Sequence, residues 1–170
     1  YSLKETINFN CKYLKIRGYE YKGYLVCIND TVSYYKHSME QLDIKNRKEL
    51  FNPESPIYTL VRDNAPAFYG REAIIKNSLV ANGSVIEGTV ENSIISRGVK
   101  IEKGAVVKNS VVMPDTIIES GVEVVDSIVS AGIVVNSNTK MVKEKNSKVS
   151  LIKGSQSANI GDKNSSKKSV

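Results

Sequence analysis

Four copies of one short pattern constrain this chain more than any other feature. Asn77-Ser78-Leu79-Val80 returns as Asn92-Ser93-Ile94-Ile95, as Asn109-Ser110-Val111-Val112 and as Asp126-Ser127-Ile128-Val129, at spacings of 15, 17 and 17 residues. Between them lie Gly98-Val99-Lys100-Ile101-Glu102-Lys103-Gly104-Ala105-Val106-Val107 and Gly121-Val122-Glu123-Val124-Val125. These are apolar pairs set apart by Gly, Asn and Asp about every six residues. β-Branched pairs and glycines at this density exclude an amphipathic helix. They fit a solenoid of very short parallel strands, in which three six-residue faces close one triangular coil of roughly 18 residues. One aliphatic residue of each strand points inward onto its counterpart a coil away. Small residues take the corners, where the backbone turns sharply and positive φ favours glycine. The unequal spacings predict corners that are not all alike. Residues 73–136 hold about three and a half such coils.

Composition divides the chain near Tyr69-Gly70. All twelve aromatics lie in residues 1–69, whereas in 73–136 Val, Ile and Leu supply 25 of 64 residues. The expected organisation is a small α/β segment over 1–50, a linker over 51–72, the solenoid over 73–136 and a Lys/Ser/Asn-rich, partly disordered tail over 137–170. Tyr19 to Ile28 alternates and then becomes continuously apolar, which predicts a strand entering a core. Asp30 or Thr31 caps a helix over 32–44, in which Val32, Tyr35, Met39 and Leu42 share one face. Asn52-Pro53-Glu54-Ser55-Pro56 is a loop, Ile57-Tyr58-Thr59-Leu60 a short extended piece and Asn64-Ala65-Pro66-Ala67 a turn. A stack this short has two open ends; residues 50–72 are expected to cover one, and the tail or another subunit the other. Leu151-Ile152 and Ala158-Asn159-Ile160-Gly161 are candidates for a degenerate last turn.

The net charge of +6 resides in residues 140–170, with eight Lys against Glu144 and Asp162. That distribution describes a solvated tail and argues against a nucleic-acid groove. No apolar run approaches the ~18 residues of a membrane span. Two cysteines, Cys11 and Cys27, exclude a disulfide scaffold and fit a reducing, cytoplasmic compartment. A single histidine, His37, excludes chemistry that needs several. The chain opens on Tyr1-Ser2-Leu3, without Met or a signal-peptide pattern, and is expected to be part of something longer.

The repeats resemble the hexapeptide repeats of left-handed parallel β-helix proteins, and the handedness is implied by that resemblance alone. Such coils occur in acyltransferases, γ-class carbonic anhydrases and some sugar nucleotidyltransferases. The first two place histidines on the coils, and residues 73–136 contain none. Gly23-Tyr24-Leu25-Val26-Cys27-Ile28-Asn29-Asp30, Tyr34-Tyr35 and Ser38-Met39 are similar to a stretch of the glucose-1-phosphate adenylyltransferase (ADP-glucose pyrophosphorylase) family. So, in the same order, are Pro56-Ile57-Tyr58-Thr59, Ala65-Pro66-Ala67, Asn77-Ser78-Leu79-Val80, Gly88-Thr89-Val90-Glu91-Asn92-Ser93 and Val111-Val112-Met113-Pro114. The resemblance implies glycogen biosynthesis, in which ATP and glucose 1-phosphate give ADP-glucose and pyrophosphate. It makes residues 1–50 the C-terminal edge of a nucleotidyltransferase domain.

Departures from the family pattern are informative. Catalytic members read Gly-Tyr-Trp-x-Asp-Val-Gly-Thr, and their Asp binds the catalytic Mg²⁺. Here Leu25 stands for the Trp, Cys27 for the Asp, Asn29 for the Gly and Asp30 for the Thr. Tyr34-Tyr35 pins the register, so Asp30 does not slip into the ligand's place. Mg²⁺ takes hard oxygen ligands, for which a thiol is a poor substitute. No stretch of the chain resembles the family's Gly-rich nucleotide loop. The resemblance therefore implies a regulatory, D-type subunit with no catalytic, cofactor or metal residue of its own. Its β-helix would assemble homo- or hetero-oligomers with a catalytic subunit that uses Mg²⁺.

Arg62, Arg71 and Arg97 are candidate contacts for a phosphate-bearing effector, since guanidinium forks suit phosphate; surface ion pairing is the plainer role. Cys27 is expected to pack in its strand as a small hydrophobe. His37 is expected on the helix with no carboxylate partner, and Cys11, near Lys12 and Lys15, to be structural or incidental. The outward members of Val106-Val107, Val111-Val112 and Val124-Val125 are candidates for a contact between subunits. Two alternatives stand beside this reading. One is the C-terminal part of an active sugar-phosphate nucleotidyltransferase with another carboxylate on the metal. The other is a hexapeptide acyltransferase, for which only His37 is available.

Overall fold

Each apolar pair of the repeat becomes a strand of two or three residues in the computed structural model, which describes residues 3–59, 62–139, 141–143 and 149–154. The strands form three sheets. Sheet A stacks β1 (Phe68–Tyr69), β4 (Val85–Ile86), β7 (Lys100–Ile101), β10 (Ile117–Ile118) and β13 (Val134–Val135). Sheet B stacks β2 (Ile74–Lys76), β5 (Thr89–Glu91), β8 (Val106–Lys108) and β11 (Glu123–Val125). Sheet C stacks β3 (Leu79–Val80), β6 (Ile94–Ile95), β9 (Val111–Val112), β12 (Ser127–Val129) and β15 (Ser150–Ile152), with β14 (Met141–Lys143) on its edge. Pairing is parallel throughout except between β14 and β15. The chain visits A, B and C in turn and so winds the parallel β-helix that the repeat predicts. A two-residue strand has no stability alone; each coil holds by bonding and packing to the next.

Inside the helix, equivalent positions stack coil on coil. Sheet A contributes Ile86, Ile101, Ile118 and Val135, sheet B Val90, Val107 and Val124, and sheet C Ile95, Val112, Val129 and Ile152, none more than 1% exposed. β-Branched side chains suit such columns because few χ1 choices are lost on stacking.

The polar half of the repeat builds the corner between sheets B and C. Asn77, Asn92, Asn109 and Asp126 take φ of 42, 45, 45 and 47°, a region that Asn and Asp tolerate better than other side chains. Their side chains form a ladder. Asn77 Nδ2 donates to Asn92 Oδ1 at 2.9 Å, Asn92 to Asn109 at 2.9 Å and Asn109 to Asp126 at 3.0 Å. Behind it runs a serine column: the N–H groups of Ser93, Ser110 and Ser127 each donate to the hydroxyl of the serine one coil earlier, at 3.1 Å.

The single 15-residue spacing has a local cause. From Val85 to Thr89 the chain advances four residues, against six from Lys100 to Val106 and from Ile117 to Glu123. The shortened corner passes through Gly88, where a Cβ would lie 2.4 Å from the Ala105 carbonyl oxygen and 2.8 Å from that of Glu102. Glycine is what lets these two coils close.

Residues 19–28 form no strand, contrary to the sequence expectation. Tyr19, Tyr21, Leu25 and Ile28 are 88, 57, 79 and 55% exposed. An alternating segment needs a neighbouring edge to bond to, and the described residues before Phe68 contain no strand. The leading segment is accordingly helical rather than α/β: α1 (Leu3–Asn10), α2 (Thr31–Met39), a 3₁₀ turn (Glu40–Leu42) and α3 (Ile44–Leu50). The helix expected over 32–44 is cut at Asp43, whose backbone is extended (φ −72°, ψ 125°). Its side chain accepts from Lys45 N at 2.8 Å and starts α3. The strands also reach beyond 73–136, from Phe68 to Ile152, so Leu151-Ile152 does lie in a coil. Residues 57–59 take no regular structure. Leu60, Ala158-Asn159-Ile160-Gly161 and the rest of 155–170 lie outside the described residues.

Candidate functional site

One outer row of the solenoid is wholly aliphatic. Leu79, Ile94, Val111, Ile128 and Leu151 follow one another in register along sheet C. Sheet B instead shows charge, with Glu91 bridging Lys76 at 3.1 Å and Lys108 at 3.4 Å. Beside sheet A, Lys100 meets Glu102 at 2.9 Å. An apolar stripe of this kind needs a cover, and α2 supplies it. Tyr34, Tyr35 and Met39 pack against Val111, Ile128 and Val149, leaving Val111 and Ile128 only 2% exposed.

The start of α2 is set locally. Ser33 N donates to Asp30 Oδ1 at 2.6 Å and Asp30 N to Ser33 Oγ at 3.0 Å, a reciprocal capping box. The Ser33 bonds hold the Asp30 carboxyl below its ordinary range. One turn on, the Tyr35 hydroxyl donates to the Asn109 carbonyl at 2.5 Å, so the helix grips the B–C corner as well as the apolar row. Burial, and then the Asp126 carboxylate, push the Tyr35 phenol up.

A second cluster ties the irregular stretch at Tyr24 to the end of α2. His37 Nδ1 lies 2.8 Å from Glu40 Oε2, the Tyr24 hydroxyl donates to that same oxygen at 2.9 Å, and Gln41 Nε2 donates to the Tyr24 hydroxyl at 3.2 Å. The His37 bond, with help from Tyr24, holds Glu40 below the ordinary carboxylate range. His37 thus has the carboxylate partner that the sequence reading did not assign. The signal was the three-residue step to Glu40, one helical turn away. Tyr24 and Gln41, and the role of the asparagine before each serine, were likewise missed.

A cavity of about 420 Å³ opens over the start of the aliphatic row, lined in part by Leu79, Ile94, Arg97 and Pro114. Of the three candidate arginines only Arg97 reaches it, at the corner between sheets C and A. Arg71 occupies the corner between sheets A and B, and Arg62 precedes β1. None makes an ion pair among the described residues.

Cys27 is exposed rather than packed, because no strand carries it into a core; its thiol donates to Asn29 Oδ1 at 3.2 Å. A soft thiol and one amide oxygen do not fit Mg²⁺. Cys11 is exposed too, donating to the Asn8 carbonyl at 3.1 Å. Among the described residues no group of three His, Cys, Asp or Glu side chains is placed to hold a metal. Of the outward valines expected at a subunit contact, Val111 is covered by α2 of its own chain, while Val106 and Val125 stay half-buried on sheet B.

A family model described as GlmU-like, C-terminal hexapeptide matches residues 61–155. The chain belongs to that family. It is 44% identical over 103 residues to the glycogen biosynthesis protein GlgD of Bacillus subtilis, a match covering 61% of this chain and 30% of that protein. It is 60% identical over 70 residues to GlgD of Geobacillus stearothermophilus, covering 41% of this chain and 20% of that one. The glucose-1-phosphate adenylyltransferase of Geobacillus stearothermophilus is 38% identical over 90 residues, 53% of this chain and 23% of the enzyme. The chain therefore spans less than a third of these relatives. The matches bear out the resemblance to the glucose-1-phosphate adenylyltransferase family and, within it, to the GlgD type. Among the described residues no helix is long and apolar enough to cross a membrane.

Proposed function

We propose that this chain is the assembly and regulatory region of a glycogen-biosynthesis protein of the GlgD kind. In this reading it is cytoplasmic, does not itself turn over substrate, and acts on a glucose-1-phosphate adenylyltransferase partner. The observation that carries the reading is the joint between α2 and sheet C. A helix from the leading segment is seated on the solenoid by the apolar contact at Val111 and Ile128 and by the Tyr35 bond to the Asn109 carbonyl. Such a joint can pass displacement between a solenoid that assembles subunits and whatever the leading segment contacts. Greater identity to GlgD than to the adenylyltransferase supports the regulatory side. So does Cys27, which stands where the family resemblance puts the Mg²⁺-binding Asp.

The test is ADP-glucose formation by the natural full-length protein, alone and mixed with a glucose-1-phosphate adenylyltransferase. The expected result is an inert protein that changes its partner's rate or effector response, with the change weakened by Val111→Asp. Strong turnover by the protein alone, enhanced no further by Cys27→Asp, overturns the reading in favour of an active nucleotidyltransferase.

A further inference from the structure

Sheet B is the short one, with four strands against five in A and six in C. The chain nevertheless makes the turn that leads to a fifth. At three corners between A and B an N–H reaches back three residues, from Ala73 to Gly70, Ala105 to Glu102 and Val122 to Glu119, at 3.1, 3.1 and 3.2 Å. Thr139 to Asn136 repeats this bond at 3.0 Å. The 17-residue step that relates β8 to β11 then brings Met141 and Val142 to the register positions of Val124 and Val125.

The expected rung is not built. The first three strands of sheet B open with a bond to the corner one coil on: Ile74 N to the Gly88 carbonyl, Thr89 to Ala105 and Val106 to Val122. The next in that series, Glu123 to Thr139, is not made among the described residues. Met141–Lys143 instead lies antiparallel on β15. Ser150 follows its partner Ser127 by 23 residues rather than 17, and the surplus is about the length of one solenoid face. With that surplus the chain can reach β15 from either place.

We propose that Met141–Lys143 exchanges between two docking positions, the antiparallel hairpin on β15 and a parallel rung on β11. Each position closes one sheet edge and opens another. An open edge presents unpaired N–H and C=O groups to which a further strand can add. On β15 the strand leaves the edge of β11 open. On β11 it leaves open the edge of β15, in the sheet that carries α2. Both positions bond one three-residue strand to one neighbour, so little separates them in free energy, and small differential contacts shift the balance.

The test uses the whole chain with Cys11→Ser and Cys27→Ser, since both native thiols are exposed. Val125→Cys/Val142→Cys reports the rung on β11. Leu151→Cys/Val142→Cys reports the hairpin, where these two positions are paired. Neighbouring strands lie about 4.8 Å apart, within the Cα separations a disulfide spans. In a glutathione redox buffer, peptide mapping is expected to find an intrachain disulfide in more than about half of the molecules of each variant; this trapping is possible only if the strand visits both places. Closure of one pair alone, or of neither in a chain that still melts cooperatively, overturns the proposal. A Val125/Val142 disulfide found only between chains overturns it as well, since the visiting strand would then come from a second copy.

Discussion

Asn109→Ala is expected to destabilise the solenoid by about 3 kcal/mol. The Asn109 amide donates to Asp126 Oδ1 at 3.0 Å and accepts from Asn92 Nδ2 at 2.9 Å. Two such bonds contribute about 1 kcal/mol each. The backbone sits at φ 45°, where alanine adds roughly a further 1 kcal/mol of strain. Tyr35 bonds to the main-chain carbonyl, so its contact survives the change. Asn109→Gly loses the same two bonds without the strain, and its larger unfolded-state entropy offsets only about 0.5–1 kcal/mol of that advantage. Glycine should therefore be no worse than alanine. Asn109→Asp keeps the backbone preference but sets a carboxylate against Asp126, so it should be less stable than wild type at neutral pH. The assay is thermal and guanidinium unfolding of the three variants, with a drop of roughly 10 °C expected for alanine. An alanine variant within about 2 °C of wild type would refute the ladder as a source of stability. A glycine variant less stable than alanine would refute the backbone part of the argument.

Gly88→Ala places a Cβ 2.4 Å from a backbone carbonyl in the shortened corner; a loss of about 2 kcal/mol or more is expected in the denaturant midpoint. Tyr35→Phe removes the bond to the Asn109 carbonyl and should cost about 1 kcal/mol at neutral pH. The folded Tyr35 phenol titrates above its usual 10.0, so the stability it lends is present below that pH and is lost as the pH rises through the folded value. The variant should then converge on wild type in unfolding curves above pH 10. Glu40 behaves in the opposite sense. Its carboxyl is held below the usual 4.5, so its contribution is present above that pH and is lost as the pH falls through the folded value. Glu40→Gln should be less stable than wild type at pH 7, and a gap that fails to close in acid denaturant titrations would count against the His37–Glu40–Tyr24 cluster.

The coils were legible because their cause is local and repeated. Each Asn-Ser pair supplies a corner and a backbone-bonding hydroxyl, and each following aliphatic pair supplies one inward residue. Nothing in that rule depends on distant chain. The unequal spacings announced that one corner differs, and Gly88 is where it differs. The leading segment was misread because a strand is a property of two segments. Tyr19–Ile28 alternates as a strand does, yet pairing is decided by whether an edge lies beside it, which the local pattern does not encode. Cys27 fell with the same error. His37 and Glu40 were legible in principle, as neighbours one helical turn apart. The three arginines share a chemistry, but Arg62 precedes the coils and Arg71 and Arg97 sit on different corners, and spacing along the sequence did not order them in space.

The doubly apolar pairs of sheet C hold the last step. In sheet B the residue after each inward one is charged in three coils, at Lys76, Glu91 and Lys108; in sheet C the residue before it is aliphatic in every coil. Of the valines expected at a subunit contact, Val111 belongs to this row, and the middle of the row is taken by α2 of the same chain. Undocking α2 would return Val111 and Ile128 to water, at about 1.5–3 kcal/mol for each fully buried side chain, and would break the Tyr35 bond at about 1 kcal/mol more. A cost of roughly 4–7 kcal/mol makes the undocked helix a rare state, so the joint acts as a rigid link at equilibrium. A signal that travels through α2 then moves sheet C with it.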